Sequence, residues 1–221
     1  MARDIRVKIC GLCRPQHVAA AVAAGAGYLG FVFYARSPRN VSPDAARILA
    51  LEVPPGVARV GLVVDASDAE ISAILDTVPL DMLQLHGRES PARVAAVKAR
   101  FGLPVMKAVG LRDVSDLAAL DDHARVADQL LVDAKPPAGA ALPGGNALAF
   151  DWNLIANRRW TCPWMLAGGL APENVADAIR LTGARQVDVS SGVETAPGMK
   201  DEGLIRAFIA AAQGAEQGEM S

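Results

Sequence analysis

The chain has 221 residues, 52% of them hydrophobic, with 22 basic against 24 acidic side chains and a formal net charge of −2. That length suits one large α/β domain that buries enough surface to fold without disulfide or metal staples. The balanced charge excludes a surface organised around nucleic acid or an anionic membrane, and no apolar run approaches the roughly 18 residues that a membrane helix requires. The start, Met1-Ala2-Arg3-Asp4, leads straight into an apolar stretch and shows no secretion signal. The three cysteines, Cys10, Cys13 and Cys162, form neither a disulfide framework nor a paired zinc-ligand pattern. Reduced thiols in the cytoplasm are the expectation.

In chain order, an apolar run at 6–12 predicts the first strand, and 15–24 a helix with Pro15 in its first turn. A strand at 28–34 is followed by a helix opened by Ser42 as N-cap and Pro43 behind it. Strands at 59–64, 82–86 and 105–110 alternate with helices at 67–78, 90–100 and 114–120. A strand at 129–133 precedes a Gly/Pro-rich stretch, 136–145, which reads as a surface loop, and a weakly helical segment at 150–156. Strand 164–167, a helix over 172–181, strand 186–190 and a helix over 200–213 complete the series. About eight strand-and-helix units in 221 residues predict a closed (β/α)8 TIM barrel, an α/β fold, as a single domain over 1–221 with a frayed tail at about 214–221. An open doubly wound sheet is the alternative, and it would normally stop at fewer strands.

A barrel gathers the carboxyl ends of its strands on one face, and the loops there build the site. The residues standing at such ends are Cys10, the 34–39 segment, Asp65, His86, Lys107, Asp133, Gly168-Gly169 and the 188–192 segment. Small residues at Gly168, Gly169, Ser191 and Gly192 let backbone N–H groups approach a phosphate, helped by a helix starting near Pro172; the alternative is that they only close tight turns. Cys10 ends an apolar strand just before a glycine and is a candidate base, or plain packing. Asp133 ends the apolar run Leu130-Leu131-Val132, where desolvation favours its proton-bearing form and suits it to act as an acid; pairing with Lys135 or Lys107 is the other reading. Arg39 could hold a carboxylate in a two-pronged pair, or be solvated. His86 could be a base, a donor or a packed core histidine, and Gln84 points into the barrel. No second histidine or carboxylate stands at ligand spacing, so no metal is expected.

The blocks Lys8-Ile9-Cys10-Gly11-Leu12, Gly30-Phe31-Val32-Phe33-Tyr34 with Ser37-Pro38-Arg39, and Gln84-Leu85-His86-Gly87 stand in order with four more. Those are Leu131-Val132-Asp133-Ala134-Lys135, Phe150-Asp151-Trp152, Ala167-Gly168-Gly169-Leu170 and the 187–194 segment. Together they resemble the phosphoribosylanthranilate isomerase family of tryptophan biosynthesis over nearly the whole chain. The resemblance implies an Amadori rearrangement of a small phosphorylated substrate with no metal or cofactor. It implies Cys10 as general base, Asp133 as general acid and Arg39 on the anthranilate carboxylate. It places the phosphate on the backbone around Gly168, Gly169, Ser191 and Gly192, Asp188 near the ribose hydroxyls, and His86 in support. Family members occur as monomers and as homodimers; neither nucleic acid nor membrane is implied. Two departures stand out: Cys13 replaces a usual threonine, and Ala147 replaces a usual glycine in the 136–149 loop expected to cover the substrate. Competing readings are a phosphosugar epimerase, an indole-glycerol-phosphate synthase needing an inward Glu beside Lys107, and a non-enzymatic phosphate sensor.

Overall fold

A computed structural model describes residues 5–135 and 150–215. Eight parallel strands close into one barrel in sequence order: β1 (Arg6–Cys10), β2 (Tyr28–Phe33), β3 (Ala58–Val63), β4 (Met82–Leu85), β5 (Val105–Leu111), β6 (Gln129–Ala134), β7 (Trp164–Leu166) and β8 (Gln186–Val189). Around them lie α1 (Pro15–Ala23), α2 (Pro43–Leu51), α3 (Asp68–Leu75), α4 (Pro91–Phe101), α5 (Leu117–Ala124), α6 (Val175–Thr182) and α7 (Glu202–Gly214). The expected barrel is therefore the observed one. The helices begin where local chemistry starts them. Ser42, Ser67 and Ser90 each accept a backbone N–H from the first turn, Pro43 and Pro91 follow two of these caps, and Glu70 completes a capping box with Ser67.

Strand alternation sorts the apolar side chains into two layers. Leu29, Phe31, Leu83, Leu85, Leu130 and Val187 pack outward against the helices, together with Phe208 and Ile205 of α7. Tyr28, Val60, Met106, Ala108, Leu131, Met165 and Ala167 fill the barrel interior, and Cys10, Val32 and Leu62 pack together with Tyr34 and Val64 beside them. Fully burying a side chain such as Phe31 stabilises by about 1.5–3 kcal/mol. Closure comes from the β1–β8 ladder, which sets Lys8 beside Asp188.

Several boundaries differ from the sequence expectation. The segment 150–156 is not an α-helix but a 3₁₀ turn, Trp152–Leu154, capped by the Asp151 side chain. Asn157 lies beyond it at φ 60, a left-handed conformation that stops helical propagation. The helix expected from Pro172 starts at Val175, because Asn174 folds back, accepting from the Ala171 N–H and donating to the Gly169 carbonyl. The helix expected at 114–120 opens as a 3₁₀ turn, Val114–Asp116, and the last helix starts two residues late. In between, β9 (Glu194–Ala196) and β10 (Met199–Lys200) form an unexpected antiparallel hairpin. Its turn rests on the 34–39 segment: a Cβ on Gly198 would stand 2.6 Å from the Pro38 carbonyl oxygen. The 136–149 loop and the tail from 216 onward lie outside the described residues.

Candidate active site

Cys10 is the last residue of β1 and is buried at the barrel mouth. It faces inward, since a Cβ placed on Gly30 of the neighbouring strand would stand 3.0 Å from its Sγ. One layer below, on the same face, Lys8 is fully buried and donates to Asp188 Oδ1 at 2.8 Å. Burial works against the Lys8 charge, but Asp188 and Cys10 outweigh it and raise the ammonium above the ordinary lysine value. Burial pushes the Cys10 thiol up, opposed by Lys8 and Lys200. Lys8 was not among the sequence candidates, and Asp188, expected near sugar hydroxyls, is engaged with it.

Arg39 is not a solvated loop arginine; it is 6% exposed. It lies over Gly11, where a Cβ would stand 2.6 Å from Arg39 Cδ, so it flanks Cys10. Its Nε and Nη2 donate to Glu194 Oε1 and Oε2, each at 2.8 Å. Lys200 donates to the same Glu194 at 2.8 Å and to the Ser190 carbonyl and hydroxyl, and Ser190 Oγ donates to the Cys10 carbonyl. Burial pushes the Glu194 carboxyl up, yet Arg39 and Lys200 hold it below the usual carboxylate range. Burial pulls Lys200 below the ordinary lysine value against the attraction of Glu194. Two cations on one carboxylate leave the trio formally positive.

Asp133 stands on β6, three strands round the closed barrel from β1. It follows inward Leu131 by two residues and so faces the same mouth. It pairs with neither Lys107 nor Lys135. Its Oδ1 accepts from the Ala134 N–H at 2.8 Å, and its Oδ2 is 3.3 Å from His86 Nε2. His86 Nδ1 is 2.8 Å from the amide nitrogen of Gln84, which is buried inside the barrel. Asp133 thus has a backbone donor on one carboxyl oxygen and the His86 ring beside the other.

The two glycine turns meet beside this carboxyl. A Cβ on Gly168 would stand 2.5 Å from the Ala134 nitrogen and 3.0 Å from Asp133 Oδ1. A Cβ on Gly192 would stand 2.0 Å from the Leu170 carbonyl oxygen. Ser191 opens a 3₁₀ turn, Ser191–Val193, directly after β8. So the turn after β7, which carries Gly168 and Gly169, and the turn after β8, which carries Ser191 and Gly192, pack together at the rim through Leu170 and Ala171.

Other strand-end candidates do not join the mouth. Lys107 sits between inward Met106 and Ala108 and so faces the helices, level with Leu85 and Leu130. It is paired there with buried Glu89 at 2.7 Å, so the Glu sought for a synthase-like pair exists but lies in the outer layer. Asp65 locks the neighbouring loop instead, accepting from the Arg88 N–H while its own N–H donates to Glu89. Lys135 pairs with Asp116. Cys13 turns its thiol to the Gly11 and Arg39 carbonyls, and Cys162 precedes β7 at the opposite end. Among the described residues no group of three or more His, Cys, Asp or Glu side chains is arranged to hold a metal ion.

A closed parallel barrel with ionisable groups concentrated at the carboxyl ends of its strands defines a (β/α)8-barrel enzyme. The family model described as N-(5'-phosphoribosyl)anthranilate (PRA) isomerase matches residues 7–211. An N-(5'-phosphoribosyl)anthranilate isomerase of Cereibacter sphaeroides is 61% identical over 209 residues, 95% of this chain and 99% of that one. The crystal structure of phosphoribosyl anthranilate isomerase from Thermotoga maritima superposes with a TM-score of 0.85 at 39% identity, covering 95% of this chain and 99% of its own. A phosphoribosyl anthranilate isomerase solved with reduced 1-(o-carboxyphenylamino)-1-deoxyribulose 5-phosphate superposes with a TM-score of 0.81 at 37% identity, covering 95% and 99%. The chain belongs to the N-(5'-phosphoribosyl)anthranilate isomerase family and is an isomerase.

Proposed function

We propose that the chain converts N-(5-phosphoribosyl)anthranilate to 1-(2-carboxyphenylamino)-1-deoxyribulose 5-phosphate, an Amadori rearrangement in tryptophan biosynthesis, by general acid/base chemistry without a cofactor. The observation that carries this reading is that Cys10 and Asp133, on well-separated strands, face one mouth whose rim is the pair of glycine turns. In this scheme Asp133 gives its proton to the furanose ring oxygen. The C1–O bond breaks, and the nitrogen lone pair forms a protonated Schiff base at C1. Cys10, as thiolate, takes the C2 proton, and those electrons form the C1=C2 bond of an enolamine. Loss of the C2 hydroxyl proton and gain of one at C1 yield the ketone, so C1 is reduced as C2 is oxidised and no external redox partner is needed. Each proton transfer contributes typically 10²–10⁴-fold when the geometry is right.

The substrate phosphate is assigned to the backbone of Gly168, Gly169, Ser191 and Gly192. Its anthranilate carboxylate is assigned to Arg39, whose plane Glu194 fixes and whose trio keeps net positive charge. Gln84 and His86 orient Asp133 from behind. Asp188 is assigned to the ribose hydroxyls, with its Oδ1 accepting from Lys8. The setting is cytoplasmic, in keeping with free Cys10, Cys13 and Cys162; no helix among the described residues is long and apolar enough to cross a membrane. The chain works as a monomer or a homodimer over one domain, on a small phosphorylated substrate rather than nucleic acid. The test is a steady-state assay on synthetic N-(5-phosphoribosyl)anthranilate: turnover to the aminoketose supports the proposal, and intact substrate after prolonged incubation with folded protein refutes it.

A further inference from the structure

The mechanism uses Cys10 but leaves unexplained the lysine sealed beneath it. Lys8 has no exposed surface. Stripping an ammonium of water is costly even when it is paired, and a buried ion pair is often no more stabilising than apolar side chains of the same volume. A core position in a strand reading Val7-Lys8-Ile9-Cys10 would ordinarily be apolar. Here the charge stands two residues before the thiol, on the same inward face. One open point above Gly30 locates both groups: a Cβ there would be 3.0 Å from Cys10 Sγ and 3.2 Å from Lys8 Nζ. The sulfur and the ammonium are therefore at most about 6 Å apart, within the range where an opposite charge acts strongly in a dry interior.

We propose that Lys8 is a positioning residue for Cys10: its ammonium, held in place by Asp188, is the counter-charge that steadies the thiolate in the barrel. The proposal rests on the reading of Cys10 as the base, and it assigns Asp188 the opposite influence. Other charges face the sulfur as well. Lys200 and Arg39 also act on it, and both are tied to Glu194. Lys8 differs from them in lying on the strand of Cys10 itself and in having Asp188 as its ion-pair partner. Burial pushes the thiol up, Lys8 is the strongest influence pulling it back, and Asp188 opposes Lys8. The two members of one ion pair must then move the thiol in opposite directions when each is neutralised, whereas mere loss of packing would move it the same way in both.

The experiment follows iodoacetamide alkylation of Cys10 against pH in a Cys13→Ser/Cys162→Ser background, with the pH profile of kcat alongside. Lys8→Met is expected to shift the alkylation midpoint up by about one pH unit or more, Asp188→Asn to shift it down, and Lys8→Arg to leave it near the parent. An unmoved midpoint in Lys8→Met, or shifts of the same sign in Lys8→Met and Asp188→Asn, overturns the proposal. Should Lys8→Met not fold, Asp188→Asn decides: a downward shift supports the assignment, and an upward or absent one overturns it. If the alkylation midpoints move as expected while the kcat profile stays fixed, Lys8 still governs the thiol, and the reading of Cys10 as the base is what fails.

Discussion

Replacing Gly192 with alanine should break the rim assigned to the phosphate without unfolding the barrel. The added Cβ would lie 2.0 Å from the Leu170 carbonyl oxygen, 3.0 Å from its carbon and 3.1 Å from Ala171 Cα. All three neighbours are backbone, so no side chain can swing aside. Restoring ordinary carbon–oxygen contact at roughly 3.5 Å requires the two turns to part by more than 1 Å. Overpacking of this kind costs about 1–3 kcal/mol of stability. A misplacement of that size in a positioning element can cost about 10²-fold in catalysis. The expected result is a fall of about two orders of magnitude in kcat/KM, carried largely by KM, with a matching loss of competitive inhibition by inorganic phosphate. Gly183→Ala is the control: it sits at φ +70 with nothing within 4 Å, remote from the rim. It should lower stability by about 1 kcal/mol and leave KM alone. If Gly192→Ala keeps parental KM and phosphate inhibition, the phosphate does not sit on this rim.

Further outcomes follow from the ion pairs. Arg39→Lys replaces a planar fork with a point charge; KM should rise about tenfold, equivalent to about 1.4 kcal/mol, while phosphate inhibition stays unchanged, and an unaltered KM would remove Arg39 from the carboxylate. Glu89 and Glu194 are both held below the ordinary carboxylate range; burial pushes each up, and Lys107 for Glu89, or Arg39 and Lys200 for Glu194, more than reverse it. Their folded pKa values are depressed, so the stability they add is present above the unfolded value near 4.3 and is lost as pH falls through the folded values. Urea unfolding between pH 6 and pH 3 should show that loss, and Glu89→Gln should flatten it; a stability independent of pH in that range would contradict the assignment. Lys107→Met strands Glu89 as a lone buried charge and should cost about 3–5 kcal/mol, read by the same denaturation at pH 7, with activity per folded molecule preserved; a cost under 1 kcal/mol would show that the pair is not structurally coupled.

The barrel was legible because its strands are short apolar runs separated by helices, three of them opened by a serine cap, and strand ends in such a fold point to one face. That rule marks Cys10, Asp133 and the glycine turns as candidates, and the family resemblance supplies their proposed roles. Lys107 was misplaced because the rule ignores parity: inward Met106 and Ala108 put the residue between them on the outer face. The same parity, counted back from Cys10, would have found Lys8. Glu194 and Lys200 were harder. They meet Arg39 only through the β9–β10 hairpin, across 155 residues of sequence in the case of Glu194, and Pro197-Gly198 was the single local hint of that turn. The 150–156 segment failed for a local reason, since Asp151 caps a short 3₁₀ turn that ends before Asn157 at φ 60.

Whether a thiol and a carboxyl work together on one sugar is tested most directly by kcat of Cys10→Ala and Asp133→Asn, each shown to be folded. Each variant should lose about two to four orders of magnitude in kcat with KM little changed. Turnover near the parent level in either variant would contradict it.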